Sequence, residues 1–221
     1  MNTVLKNIVA HTYKPLLVKY LSSTRSYSYN GIKLDIPPEV FHPGFFFSTK
    51  LLLQYISKID LGKKTFLELG CGSGLIAITA AKKSAIATAT DINRVAVGAL
   101  KTNSAKNNVA ITIIESDLFS NIPKQAFDII AINPPYYKKQ PLAPKDYAWC
   151  CGENGEYFSK LFATLAHYTH TNSEIIMVLF DGCDMEMINP FAAKNNFVLR
   201  QVWRKKNMLE ENFIFKIEPI V

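Results

Sequence analysis

Apolar and polar positions along this chain change period repeatedly, from strict runs and alternation to a spacing of three and four, and those changes outline a fold. The order is clearest between residues 65 and 133. Thr65-Phe66-Leu67-Glu68-Leu69 predicts a strand, residues 73–83 a helix, Ile86–Asp91 a strand and residues 93–107 an amphipathic helix. Strands at Ile111–Ser116 and Phe127–Asn133 follow. A helix near 153–169, a strand at Glu174–Phe180, a helix near 184–195 and strands at 197–203 and 213–219 complete the series. Strands alternating with helices imply βαβ units and a mostly parallel sheet. The polar connection from Arg204 to Asn212 is too short for a crossover helix, so the last two strands should pair antiparallel at one end of the sheet. The expected fold is therefore α/β, with a seven-stranded, mostly parallel sheet, an antiparallel C-terminal strand and helices on both faces.

The pattern changes before residue 60. A helix is predicted around residues 13–22, with Pro15 in its first turn, and a hairpin turning at Asn30-Gly31. Residues 1–50 then read as a helix-plus-hairpin arm that lids the substrate site, and 51–221 as the main domain. The segment Val40–Lys50 carries Phe45-Phe46-Phe47 and Ser48-Thr49. At least one of these phenylalanines packs the core, while Phe47 and Thr49, just before the first strand's leading helix, are candidates to cover a cofactor.

Composition sharpens this outline. With 221 residues, 48% of them hydrophobic, the chain has material for one full domain and a small appendage. No apolar run approaches the ~18 residues that cross a bilayer and no secretory signal is evident, so the expected compartment is the cytoplasm. One competing signal is the acid-free stretch before Asp35, with Lys6, Lys14, Lys19 and Arg25, which resembles an organellar presequence. Cys71, Cys150, Cys151 and Cys183 lack zinc-site spacing, so reduced thiols and no metal are expected. The net charge of +7 favours an acidic partner such as RNA.

Candidate chemistry begins at Leu69-Gly70-Cys71-Gly72-Ser73-Gly74, placed at a strand-to-helix turn where open α/β sheets bind ligands. A dinucleotide fingerprint needs a third glycine at position 75, which is Leu75, and a P-loop needs Gly-Lys-Ser/Thr. Neither phosphate site fits. Glu68 precedes the glycines, Asp91 ends the second strand and Asp117 the third. Such acids suit ribose hydroxyls, an ammonium group and an adenine amino group, and they repel phosphates. On these residues, the stretch from Glu68 to Asn133 resembles the class I S-adenosylmethionine (SAM)-dependent methyltransferase domain. The resemblance implies that Gly70, Cys71, Gly72 and Gly74 carry the methionine part, Asp91 with Ile92 the ribose, and Asp117 with Leu118 the adenine.

Asn133-Pro134-Pro135-Tyr136 follows the fourth strand at the same sheet edge. Two prolines fix φ and remove two backbone donors, leaving carbonyls that can only accept. An NH2 group offers two donors, which the Asn133 Oδ1 and Pro134 carbonyl can take, drawing the nitrogen lone pair out of conjugation. Tyr136 would stack on the flat group. No general base or metal is required, because the gain comes from proximity and in-line orientation.

The tetrad resembles the signature of amino methyltransferases acting on glutamine amides, adenine N6 or cytosine N4. The order of Asn30-Gly31, Pro43, the glycine loop, the tetrad and Gly152-Glu153-Asn154-Gly155 is closest to the HemK-like release-factor glutamine methyltransferases. This chain departs from them at His42–Phe47 and in its short N-terminal helical region. The resemblance implies methylation of a glutamine in a protein partner, with adenine N6 in RNA as the alternative and a non-catalytic SAM- or RNA-binding subunit as a third. Lys138, Lys139, Lys145, Arg204, Lys205 and Lys206 could form a basic rim for RNA phosphates.

Overall fold

A computed structural model describes residues 19–207 and 210–220. Most of the helix expected at 13–22 lies outside them. Two strands, β1 (Arg25–Tyr29) and β2 (Ile32–Ile36), form the hairpin, and its two-residue loop puts Asn30 at φ 47° and Gly31 at φ 80°. Both angles belong to a type I′ turn, the twist-compatible hairpin connection that asparagine and glycine tolerate.

The α-helices and strands that follow are α1 (Phe47–Ile56), β3 (Thr65–Leu69), α2 (Leu75–Lys82), β4 (Ile86–Asp91), α3 (Arg94–Lys106), β5 (Thr112–Glu115), β6 (Ile129–Ile132), α4 (Glu156–Leu165), β7 (Glu174–Phe180), α5 (Met185–Lys194), β8 (Phe197–Lys206) and β9 (Glu211–Pro219), with short 3-10 turns at Pro144–Ala148 and Ala166–Tyr168. Seven strands form one sheet in the order β5-β4-β3-β6-β7-β9-β8. All neighbours are parallel except β9, which runs antiparallel to both β7 and β8. The last strand thus inserts beside β7, and β8 is the outer edge.

Of the strands, β5 and β6 are shorter than expected, β6 with four residues rather than seven, while β8 and β9 run longer, to Lys206 and from Glu211. Phe127 hydrogen-bonds through its backbone to Tyr168 outside the sheet, and Asn133 already faces the site. The sheet separates two apolar clusters. One joins α1, α2 and α3 to β2 through residues such as Leu52, Ile76, Leu100 and Leu34. The other joins α4 and α5 through Phe158, Phe162 and Ile188.

The outer edge of β2 is closed by side chains. Asn103 of α3 and Asn107, which caps its C-terminus, each accept a backbone N–H of β2, from Asp35 at 2.8 Å and Lys33 at 3.0 Å, and each donates back to the same residue's carbonyl. Four residues of helix rise about 6 Å and two residues of strand about 6.6 Å, so an i, i+4 asparagine pair matches the strand repeat. This locks the hairpin onto the domain and places the chain after it, residues 39–43, over the cavity described next.

Candidate active site

The carboxyl ends of β3, β4, β5 and β6 open into a cavity of about 340 Å³. Its floor is the glycine loop. Gly70, Gly72 and Gly74 all have positive φ, at 71°, 50° and 84°, a region that side-chain-bearing residues rarely enter. A Cβ at Gly74 would fall on the Leu100 side chain, so that glycine allows α2 to pack against α3.

Two acids, the buried Glu68 and the half-buried Asp91, hold the loop's shape. Asp91 accepts the N–H of Gly72 through Oδ2 and that of Asn93 through Oδ1, both at 2.8 Å. Glu68 accepts the Ala77 N–H at 2.7 Å, which satisfies an otherwise unpaired donor in the first turn of α2. Burial pushes both carboxyls up, Glu68 strongly and with the Asp91 charge adding to the rise, while the backbone N–H bonds oppose it. Burial and the neighbouring Asp91 and Glu68 charges also raise the Cys71 thiol well above its ordinary value, which suppresses the thiolate a nucleophile needs. At the far rim, Asp117 Oδ2 takes an ammonium bond from Lys160 of α4 at 2.6 Å.

The tetrad forms the opposite wall. Pro134 and Pro135 are buried. Tyr136 donates its hydroxyl to Asn133 Oδ1 at 2.8 Å and lies 3.1 Å from the Ser48 hydroxyl, while Asn133 Nδ2 reaches Thr49 Oγ1 at 3.4 Å. The Tyr136 ring meets Phe180 edge-on, and burial raises its phenol, which therefore stays protonated.

The structure therefore places Thr49, Glu68, Gly70, Cys71, Gly72, Asp91, Ile92, Asp117, Leu118, Asn133, Pro134, Pro135 and Tyr136 around one cavity. Two expected residues stand apart from its lining. Gly74 caps α2 beneath Leu100, and Phe47 begins α1 with the Lys205 ammonium 5.8 Å from its ring.

Sequence reasoning expected a cover from the N-terminal arm but missed most of the residues that form it. Residues 39–43 contribute Phe41, and the loop 140–152 contributes Gln140, Tyr147 and Cys150, joined by Glu156, Tyr157 and Lys160 of α4. The two segments meet through Trp149, whose ring centroid lies 5.1 Å from Phe41 and 4.9 Å from Phe46. The signal that could have found this cover is the pair of aromatic clusters 41–47 and 136–149. Of the expected basic rim, Lys138 is bound to Asp184 at 2.9 Å and Lys205 leans toward Gln54.

The cradle fits a nucleoside bearing a cationic amino-acid arm. Positive-φ glycines let the backbone approach it, two carboxylates face it, and the lysine at the rim is already paired with Asp117. Fold and site together have the form of a Rossmann-like domain of the SAM-using methyltransferase class. The model of the methyltransferase small domain family matches residues 34–148, so the chain belongs to that family. It is 46% identical over 107 residues to a protein of Methanocaldococcus jannaschii assigned as a protein N5-glutamine methyltransferase, spanning 48% of this chain and 52% of that one. It is 35% identical over 114 residues to ribosomal RNA small subunit methyltransferase C of Buchnera aphidicola, spanning 50% of this chain and 32% of that one. The chain thus aligns with about half or less of these relatives' lengths. Its fold matches the T. thermophilus 16S rRNA N2 G1207 methyltransferase, solved with AdoMet and guanosine, at a TM-score of 0.64 with 17% identity, covering 87% of this chain and 50% of that one. No helix among the described residues is long and apolar enough to cross a membrane.

Proposed function

We propose that this protein transfers a methyl group from SAM to a planar amide or amino nitrogen, and that its acceptor is a glutamine side chain of a protein partner. The observation that carries this reading is the Asn133–Tyr136 tetrad lining the same cavity as the glycine loop and Asp91. SAM, when bound, supplies an electrophilic methyl group on a sulfonium. The chain's own contribution is to hold the acceptor. Asn133 Oδ1 and the Pro134 carbonyl receive its two N–H groups, and the Tyr136 ring borders its plane. Held that way, the nitrogen reacts as one half of an effectively unimolecular pair. Gly70 and Gly72 seat the amino-acid arm, Asp91 the ribose, and Asp117, braced by Lys160, offers its second oxygen to the adenine amino group.

The Methanocaldococcus jannaschii relative, provisionally named for glutamine N5, supports the protein acceptor. An exocyclic base amine in RNA is the second reading, favoured by the ribosomal RNA relative and by the exposed Lys139, Lys145 and Tyr147 near the mouth. The two separate in one assay: purified protein, tritiated SAM and cell lysate, with protease or RNase treatment before counting. Label lost only to protease supports glutamine, label lost only to RNase supports the base, and no label with either sinks both.

A further inference from the structure

We propose that Ser48 is a positioning residue for methyl transfer, the site to which the Tyr136 hydroxyl turns when the acceptor nitrogen binds Asn133. This rests on the reading above. In the structure the Tyr136 hydroxyl donates to Asn133 Oδ1 at 2.8 Å, the same oxygen that the acceptor N–H must use. One lone pair of the clamp is therefore already taken by the enzyme itself, and a carbonyl oxygen accepting two donors binds each less well than one.

Geometry supplies the exit. Ser48, buried in the first turn of α1, places its Oγ 3.1 Å from the Tyr136 hydroxyl, and a serine hydroxyl can accept as well as donate. The phenol is enclosed between α1, the tetrad and Phe180, and it keeps its proton, so its one donor must always find an acceptor. Only Asn133 Oδ1 and Ser48 Oγ are in reach among the described residues. With the cavity empty of acceptor, the O–H occupies Oδ1 and spares Asn133 an unpaired carbonyl. When an amide N–H arrives, the O–H rotates to Ser48 and Oδ1 passes to the acceptor. Meanwhile Thr49 holds the other end of the amide through Nδ2. No bond to carbon or sulfur changes in this step; the Ser48–Tyr136 hydrogen bond reverses direction as Ser48 turns its own hydrogen away, and Oδ1 exchanges the phenol for the acceptor N–H.

The test compares initial rates of tritium transfer from SAM to lysate protein, at limiting and saturating protein, for wild type, Ser48→Ala, Ser48→Thr and Tyr136→Phe, together with the double variant Ser48→Ala/Tyr136→Phe. Ser48→Ala should lose about tenfold at limiting acceptor, the worth of one hydrogen bond, with the SAM dissociation constant by calorimetry within about twofold of wild type. Ser48→Thr keeps the hydroxyl and should recover most of the rate. Tyr136→Phe removes the competing donor, so it should retain measurable turnover, and adding Ser48→Ala to it should change nothing further. A Ser48→Ala rate equal to wild type overturns the inference. So does a Ser48→Ala loss that persists in the Tyr136→Phe background, as a purely structural serine would give, or complete inactivity of Tyr136→Phe. If wild type itself labels nothing, the methyl-transfer reading fails and takes this inference with it; if wild type labels protein and the variants behave otherwise than stated, only the serine's role fails.

Discussion

The two walls of the cavity are built by different means. On the cofactor side, the groups are backbone N–H donors, glycines and carboxylates at the ends of β3, β4 and β5, each tied to its neighbours by short polar bonds such as Gly72 to Asp91. On the acceptor side, loops and a helix N-terminus meet through rings: Phe41, Phe46 and Trp149 over the mouth, Tyr136 against Phe180 below. The first wall is shaped by strand register and φ angles, which local residues dictate. The second depends on contacts between segments about a hundred residues apart, so it can change acceptor without disturbing the cofactor cradle.

This division is open to test, beginning with the acceptor wall's centre. Asn133→Ala should lower turnover by at least about 100-fold, the order of loss when a reacting group is no longer held in line, while SAM affinity measured by calorimetry stays within about twofold. Equal losses in both would mean that the walls are not independent. On the opposite wall, Asp91→Ala should weaken SAM binding by about 10- to 100-fold, since hydrogen bonds to a charged group contribute about 1.5–3 kcal/mol. Unchanged affinity there would remove the ribose role.

A smaller effect is expected at the cover. Trp149→Ala removes two ring contacts and part of a packed surface, and should lower stability by about 2 kcal/mol, read as a fall in the thermal midpoint, and raise the acceptor's KM more than it lowers kcat. A larger effect on SAM affinity than on KM would assign the cover to the cofactor wall instead. Smallest of all is a control far from the cavity. At the opposite, amino-terminal end of the central strands, Asp128 accepts the backbone N–H and hydroxyl of Thr65, which hold its carboxyl below the ordinary value. A depressed carboxyl contributes stability that is complete above the ordinary carboxylate pKa and is lost as pH falls through the lower folded value. Asp128→Asn should therefore flatten the acid limb of the stability profile without altering SAM binding at neutral pH.

The parallel sheet was legible because βαβ units announce themselves by period: Thr65–Leu69, Ile86–Asp91 and Glu174–Phe180 appear with the limits expected. The antiparallel end was legible from the shortness of the last connection. Less readable was Gly74, which serves helix packing rather than the cavity lining, because a glycine's φ is local but its neighbour Leu100 is not. Glu68 shows the same limit: its place beside the glycines is in the sequence, whereas its bond to Ala77 depends on where α2 starts.

The chain's residues alone determine the strand order's raw material, the glycine loop, the acids at three successive strand ends and the tetrad after the fourth, because each is a short-range pattern whose geometry follows from φ preferences and side-chain period. Tertiary structure alone decides what those groups touch. It brings Ser48 and Thr49 to Asn133 and Tyr136 across more than 80 positions, and seats Trp149 on Phe41 and Phe46. It also turns Asn103 and Asn107 into the closing edge of a hairpin. These are matters of packing, where distance along the chain carries no information until the sheet has folded.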